Sequence, residues 1–224
     1  MSLYWGIFIV TMLASWLVSA LFNSRMKKYS TIRTSMTGRE VAERMLRENG
    51  IMDVRVICTE GRLTDHYNPV DRTVNLSHDV YEGATLAAMA VAAHECGHAV
   101  QHAVGYAPLR MRSALVPVVS FSSRWVTWII LGGMLVLQQF PQLMLFGILL
   151  FAMTTVFSFI TLPVEINASV RAVNWMEESM LISREDLPKA SAALRSAAYT
   201  YVVAALSSLA TLLYYIAIYS GSRR

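Results

Sequence analysis

Two histidines four residues apart, with a glutamate directly after the first, stand in the run His94-Glu95-Cys96-Gly97-His98. On an α-helix, residues four apart share a face and lie about 6 Å apart along the axis. Two imidazoles so placed converge on one Zn²⁺ at about 2.0–2.1 Å each. Glu95 leans beside the metal, where it serves as general base on a water rather than as a ligand. The H-E-x-x-H pattern fixes only three positions, and chance matches in ordinary helices occur. Here Ala84 to Ala93 contains no Gly or Pro, and alanine is the best helix former. The context therefore favours a helix that presents both histidines.

A catalytic zinc takes three protein ligands and keeps one position open. His102 shares the face of His94 and His98 but lies about 12 Å along the axis from His94, too far for one straight helix to bring all three to one ion. A surface or supporting role fits it better. His66 and His78 have no partner at ligand spacing. Glu165 is the stronger third ligand: it follows Pro163, at the inner end of the third span, and is expected to open a new helix, Glu165-Ile166-Asn167-Ala168-Ser169-Val170-Arg171. The plain alternative is a carboxylate at a helix N-terminus, held there by the dipole. Arg171, six residues on, is a candidate catalytic cation that steadies the substrate carbonyl or the oxyanion; the alternative is an ordinary positive charge flanking a membrane span. Cys96 lies about 200° around the helix from His94 and reads as a small apolar residue. With Cys58 it makes no disulfide framework.

The elements that carry these residues belong to a membrane protein. Of 224 residues, 55% are hydrophobic and only 15% charged, against about 25% charged in soluble domains; the mean hydropathy is +0.44. The net charge of +4 comes from scattered rather than blocked arginines, so nucleic acid is not an expected partner; the lipid bilayer is. Residues 3–22 carry no charge and are long enough to cross about 30 Å of hydrocarbon. The stretch Met1-Ser2-Leu3-Tyr4 lacks the basic start of a signal peptide, and Arg25, Lys27, Lys28 and Arg33 follow the span. This reads as an anchor with its N-terminus outside. Residues 116–162 form two spans around the uncharged break Gln138–Gln142, with Arg124 as an awkward charge that snorkels or pairs. Residues 199–219 form a fourth apolar segment, which leaves Arg223 and Arg224 outside, against the positive-inside trend.

Between the spans, residues 23–112 form a lobe and residues 163–198 a polar helical segment, both expected in the cytoplasm. The lobe reads as a helix over Arg39–Asn49, strands at Val54–Cys58 and Arg72–Ser77, and the histidine helix from about Ala84 to Val104. Ser183 is a good N-cap for a second helix in the polar segment. A free edge of the small sheet suits an extended polypeptide, though periodicity does not say which strand is the edge. The expected fold class is a mainly α membrane protein with about four transmembrane helices and a small α+β cytoplasmic zinc-binding lobe. The active site faces the cytoplasm at the cell (inner or plasma) membrane.

The run Ala92–Gln101, the step Leu162-Pro163-Val164-Glu165 with Ala168-Ser169 and Arg171, and Leu63-Thr64-Asp65-His66-Tyr67 resemble the YugP-type family of bacterial membrane zinc metallopeptidases. The resemblance covers most of the chain. The family's H-E-V-G-H stands here as His94-Glu95-Cys96-Gly97-His98, and its E-F-D-A-S-R-R-A as Glu165-Ile166-Asn167-Ala168-Ser169-Val170-Arg171-Ala172. Asn167 and Val170 depart from that pattern, which bears on ligand orientation more than on metal binding. The chain is also similar to HtpX-type peptidases, whose E-x-x-A-D helix supplies the third ligand, with Ser169 in place of the aspartate. The resemblance implies one zinc per chain held by His94, His98 and Glu165, a catalytic Glu95, and a zinc endopeptidase acting on unfolded or membrane-associated polypeptide. Two other classes stay open: a non-catalytic scaffold or chaperone stapled by zinc, which has no use for Glu95, and a site-2-type intramembrane protease. Only about ten apolar residues precede His94, short for a span.

Overall fold

The computed structural model describes residues 2–221, with side chains from residue 5 onward. Met1, Arg223 and Arg224, which enter the charge argument, lie outside them. Among the described residues, seven helices and three strands follow in the order α1 (Ser2–Tyr29), α2 (Gly38–Glu48), β1 (Arg55–Thr59), β2 (His66–Asn68), β3 (Thr73–Ser77), α3 (His78–Tyr81), α4 (Leu86–Ala103), α5 (Ala107–Leu135), α6 (Pro141–Glu178) and α7 (Leu187–Gly221). The chain is mainly α, and α1, α5, α6 and α7 are long and apolar enough to cross a membrane.

Two compact units divide the residues. One comprises Val18–Leu109 and Pro163–Tyr199. Its sheet has β3 at the centre, parallel to β1 and antiparallel to β2. All five residues of β3 are buried, as expected of a central strand covered on both faces. Strand β2 was not legible beforehand, because three residues between loops leave no alternation to detect. Helix α2 begins at a capping box in which Thr37 and Glu40 satisfy each other's backbone N–H groups. Its apolar side, Val41, Ala42, Met45 and Leu46, joins Val74, Leu76, Leu86, Met89 and Cys96 in one core with Trp175, Met176 and Leu194. The N-cap of α4 is Thr85, whose side chain accepts the Ala88 N–H, so the helix starts two residues after the expected Ala84.

The other unit holds Arg110–Leu162 with the stretches up to Leu17 and from Thr200. Here α5 and α6 form a hairpin whose second helix opens on Pro141, a position where the missing N–H costs nothing. The pair crosses at Gly133: a Cβ there would lie 2.7 Å from the Met144 Cα, so only glycine permits the approach. The Thr155 and Ser208 hydroxyls, 2.7 Å apart, join α6 to α7, as polar side chains do between membrane helices.

One local expectation is corrected. Pro163 does not start a new helix; it lies inside α6, which runs unbroken to Glu178. A proline forfeits one backbone bond, and long apolar helices tolerate it where hydroxyls and neighbouring turns take up the freed carbonyl. Glu165 is therefore a mid-helix residue, not an N-terminal carboxylate stabilised by the dipole.

Candidate metal centre

The centre is built where α4 and the part of α6 after Pro163 touch. Gly97 sets the distance of approach. A Cβ on it would sit 2.6 Å from the Ala168 carbonyl oxygen and 3.1 Å from its Cα. That contact brings residues one turn either way on both helices within reach of each other. In isolation Gly97→Ala gains about 1 kcal/mol of helix propensity. Here we expect the opposite sign, a loss of about 1–3 kcal/mol from overpacking against backbone that cannot rotate away. The check is thermal unfolding of the purified variant, with zinc content measured in parallel; a raised midpoint would contradict the contact.

His94, His98 and Glu165 meet there, their ligand atoms all within 4.8 Å of one another. One carboxylate oxygen, Glu165 Oε2, lies 3.3 Å from His94 Nε2 and 3.7 Å from His98 Nε2. Tetrahedral zinc with bonds of about 2.0–2.1 Å separates its ligand atoms by roughly 3.3–3.4 Å. The two edges that meet at Glu165 Oε2 are thus close to that size before any ion draws the group together. Both imidazoles turn Nε2 inward because Nδ1 is engaged elsewhere. His94 Nδ1 is 3.1 Å from the Ser169 hydroxyl, and His98 Nδ1 is 3.0 Å from Gln101 Oε1. Glu165 is 3% exposed and His98 8%, so the donors lie in a setting of low polarisability where a cation is needed to balance the carboxylate. Two neutral nitrogens and one carboxylate oxygen are a donor set that zinc accepts.

Electrostatics agree with this arrangement. Burial works against a charge on His98, but the Glu165 carboxylate, Glu95 and Gln101 outweigh it and raise its pKa above the ordinary histidine value. A site that favours positive charge on an imidazole favours a metal cation by the same interaction. Glu95 follows His94 on α4 and is 8% exposed. Cys96 turns away from the centre, its thiol donating to the Ala42 carbonyl at 3.6 Å. Burial pushes its pKa far up, so it is an inert core thiol.

The remaining candidates lie elsewhere. Arg171 is partly buried on α6 and donates through Nε to Asn167 Oδ1 at 2.8 Å. His102 is exposed, and its Nδ1 lies 2.7 Å from the Tyr67 hydroxyl of β2. His66 bonds the Thr64 carbonyl, and His78 lies 3.9 Å from Cys58 Sγ. Three residues matter to the geometry that sequence reasoning gave no role: Gly97, Gln101, and Ser169, which it noted only as standing in place of an aspartate. Each carried a faint signal. Gly97 interrupts an alanine-rich helix, Gln101 is a polar residue one turn beyond His98 on its buried side, and Ser169 follows Glu165 by one turn.

Comparison with known proteins bears on all of this. A family profile described as "Putative neutral zinc metallopeptidase" matches residues 4–220. The chain is 43% identical over 202 residues, 89% of each chain, to the protein of Bacillus subtilis (strain 168) named "Putative membrane protease YugP". No solved structure matches it. A profile spanning nearly the whole chain, together with a relative of that identity and coverage, shows that the chain belongs to this zinc metallopeptidase family.

Proposed function

We propose that the chain is a membrane-embedded zinc metalloendopeptidase whose single zinc is held by His94, His98 and Glu165. The observation that carries the reading is one Glu165 oxygen placed 3.3 and 3.7 Å from two inward-facing Nε2 atoms, with Glu95 next to the first ligand. Bound zinc supplies Lewis-acid polarisation of a carbonyl and brings the pKa of a water towards 7. The protein's part is the proton. Glu95 takes it from the attacking water as the new C–O bond forms and passes it to the leaving amine nitrogen as the C–N bond breaks. Arg171 is the candidate partner for the developing oxyanion through the guanidinium nitrogens beyond Nε. An extended polypeptide pairs with a free sheet edge. Of the two edges, β2 is bonded to the histidine-bearing helix through Tyr67 and His102, so it is the edge that presents substrate. Burial raises the Tyr67 pKa and keeps the phenol neutral for that bond. The test is hydrolysis of quenched fluorescent peptides by purified zinc-loaded protein, abolished by a chelator and restored by zinc. A wild-type protein that holds stoichiometric zinc and cleaves no peptide sinks the peptidase reading.

The charge pattern supports a cytoplasmic site: Arg25, Lys27, Lys28, Arg110, Arg112 and Arg171 flank one side of the spans, and the Gln138–Gln142 turn carries no charge. In a variant lacking Cys58 and Cys96, Lys28→Cys and Glu185→Cys are expected to resist an impermeant thiol reagent in intact cells and to react after permeabilisation. Gln139→Cys is expected to react in both. Labelling of Lys28→Cys and Glu185→Cys from outside overturns the cytoplasmic assignment and leaves the zinc site standing.

A further inference from the structure

We infer that Gln101 is a positioning residue that dictates which nitrogen of His98 is offered to the metal, and that Arg171 acts on it at one remove. The inference rests on the zinc reading above. Gln101 is 0% exposed, and no buried side-chain polar atom among the described residues lacks a partner, so its amide must be accounted for in full. The Val164 carbonyl lies 2.8 Å from one end of that amide. A carbonyl only accepts, so that end is the NH₂ group whatever orientation is first assigned to it. The same NH₂ reaches Asn167 Oδ1 at 3.0 Å. Asn167 in turn is oriented by Arg171, whose Nε donates to that oxygen at 2.8 Å and, being a guanidinium nitrogen, has nothing to accept with.

With both N–H groups committed, Oε1 of Gln101 faces His98 Nδ1 at 3.0 Å. An amide oxygen only accepts, so Nδ1 carries a proton, and in the neutral ring that a metal requires Nε2 is the atom with the lone pair. Nε2 is the atom turned toward Glu165. The chain Arg171–Asn167–Gln101–His98 therefore transmits one hydrogen-bond direction from a donor-only cation to a metal-facing lone pair. His94 has no such device. Its Nδ1 partner is the Ser169 hydroxyl, which donates or accepts and imposes no tautomer.

The test uses full-length protein and measures zinc affinity by competition with a chelator of known strength, with the Co²⁺ absorption spectrum as a second readout. Gln101→Met keeps the volume and removes the acceptor; zinc affinity is expected to fall about 10–100-fold, the cost typical of losing an outer-shell partner, and the Co²⁺ bands to shift. Gln101→Glu keeps an acceptor for Nδ1 but loses both N–H bonds to α6. It is expected to hold zinc within about 3-fold of the wild type, a small part of that cost. A residue that merely bridges two helices predicts that both variants are equally weak, and that result overturns the inference, as does wild-type affinity in Gln101→Met. Arg171→Met is expected to fall between the wild type and Gln101→Met; an affinity below Gln101→Met overturns the order of the chain. Should Gln101→Met not fold, Asn167→Ala carries the same prediction of weakened zinc and shifted bands. Absence of stoichiometric zinc in the wild type instead defeats the underlying metal reading.

Discussion

Glu95→Gln is expected to bind zinc as the wild type does and to lose about 10²–10⁴-fold of its peptide hydrolysis, the range that a positioned general base contributes. The substitution changes one atom of the carboxylate and nothing in its volume. The amide nitrogen has no lone pair for the water's proton, and the amide oxygen accepts it only weakly. Zinc should stay because the three proposed ligand atoms belong to His94, His98 and Glu165, and Glu95 sits one residue round the helix from the first of them. Glu95 is nearly buried, so a neutral amide costs no more desolvation than a carboxylate and gives no reason for misfolding. Metal analysis beside peptide turnover separates the two effects. Turnover near the wild-type rate in a folded, zinc-replete Glu95→Gln protein would end the proposed mechanism, because the proton would then have to be taken by a group other than Glu95.

How much of this is visible in residues alone depends on the length over which each signal acts. The histidine spacing, the apolar spans and the amphipathic α2 are local, repeat at 3.6 residues or run for twenty, and were legible. So was the pairing of Glu165 with a motif some 70 residues away, although on the wrong local ground: Pro163 was read as a helix start, and it lies within α6. What sequence could not supply was the contact between α4 and α6. Gly97 and Ala168 are unremarkable small residues until the fold shows that a Cβ on Gly97 would lie 2.6 Å from the Ala168 carbonyl oxygen. Gln101 is one polar residue near the end of a helix, and its role shows only in the sharing of its amide between His98, Val164 and Asn167. Such residues are selected by partners distant in the chain, and neither periodicity nor propensity registers them.

The metal centre itself yields the other large effect. His98→Ala and Glu165→Ala are each expected to abolish stoichiometric zinc, a loss beyond the 10–100-fold that an outer-shell partner contributes, whereas His102→Ala should keep it. Removing either ligand leaves two donors, and two donors do not make the three-ligand platform on which catalytic zinc rests. Glu165→Ala removes more than a bond. It takes away the one carboxylate facing both Nε2 atoms, so the cation would enter a nearly buried site with no resident negative charge among its ligands. Glu165→Asp retracts the oxygen by about one C–C bond, ~1.5 Å, from its place 3.3 and 3.7 Å from the two Nε2 atoms, and is expected to weaken zinc without abolishing it. His102 lies two helical turns from His94, about 12 Å, and spends Nδ1 on the Tyr67 hydroxyl. Its loss should therefore appear in peptide binding at β2 and not in metal content. Equal zinc loss in His98→Ala and His102→Ala would mean that α4 is not the straight helix described. Retention of zinc in Glu165→Ala alone would move the third ligand off α6, and the contact at Gly97 would then need another explanation.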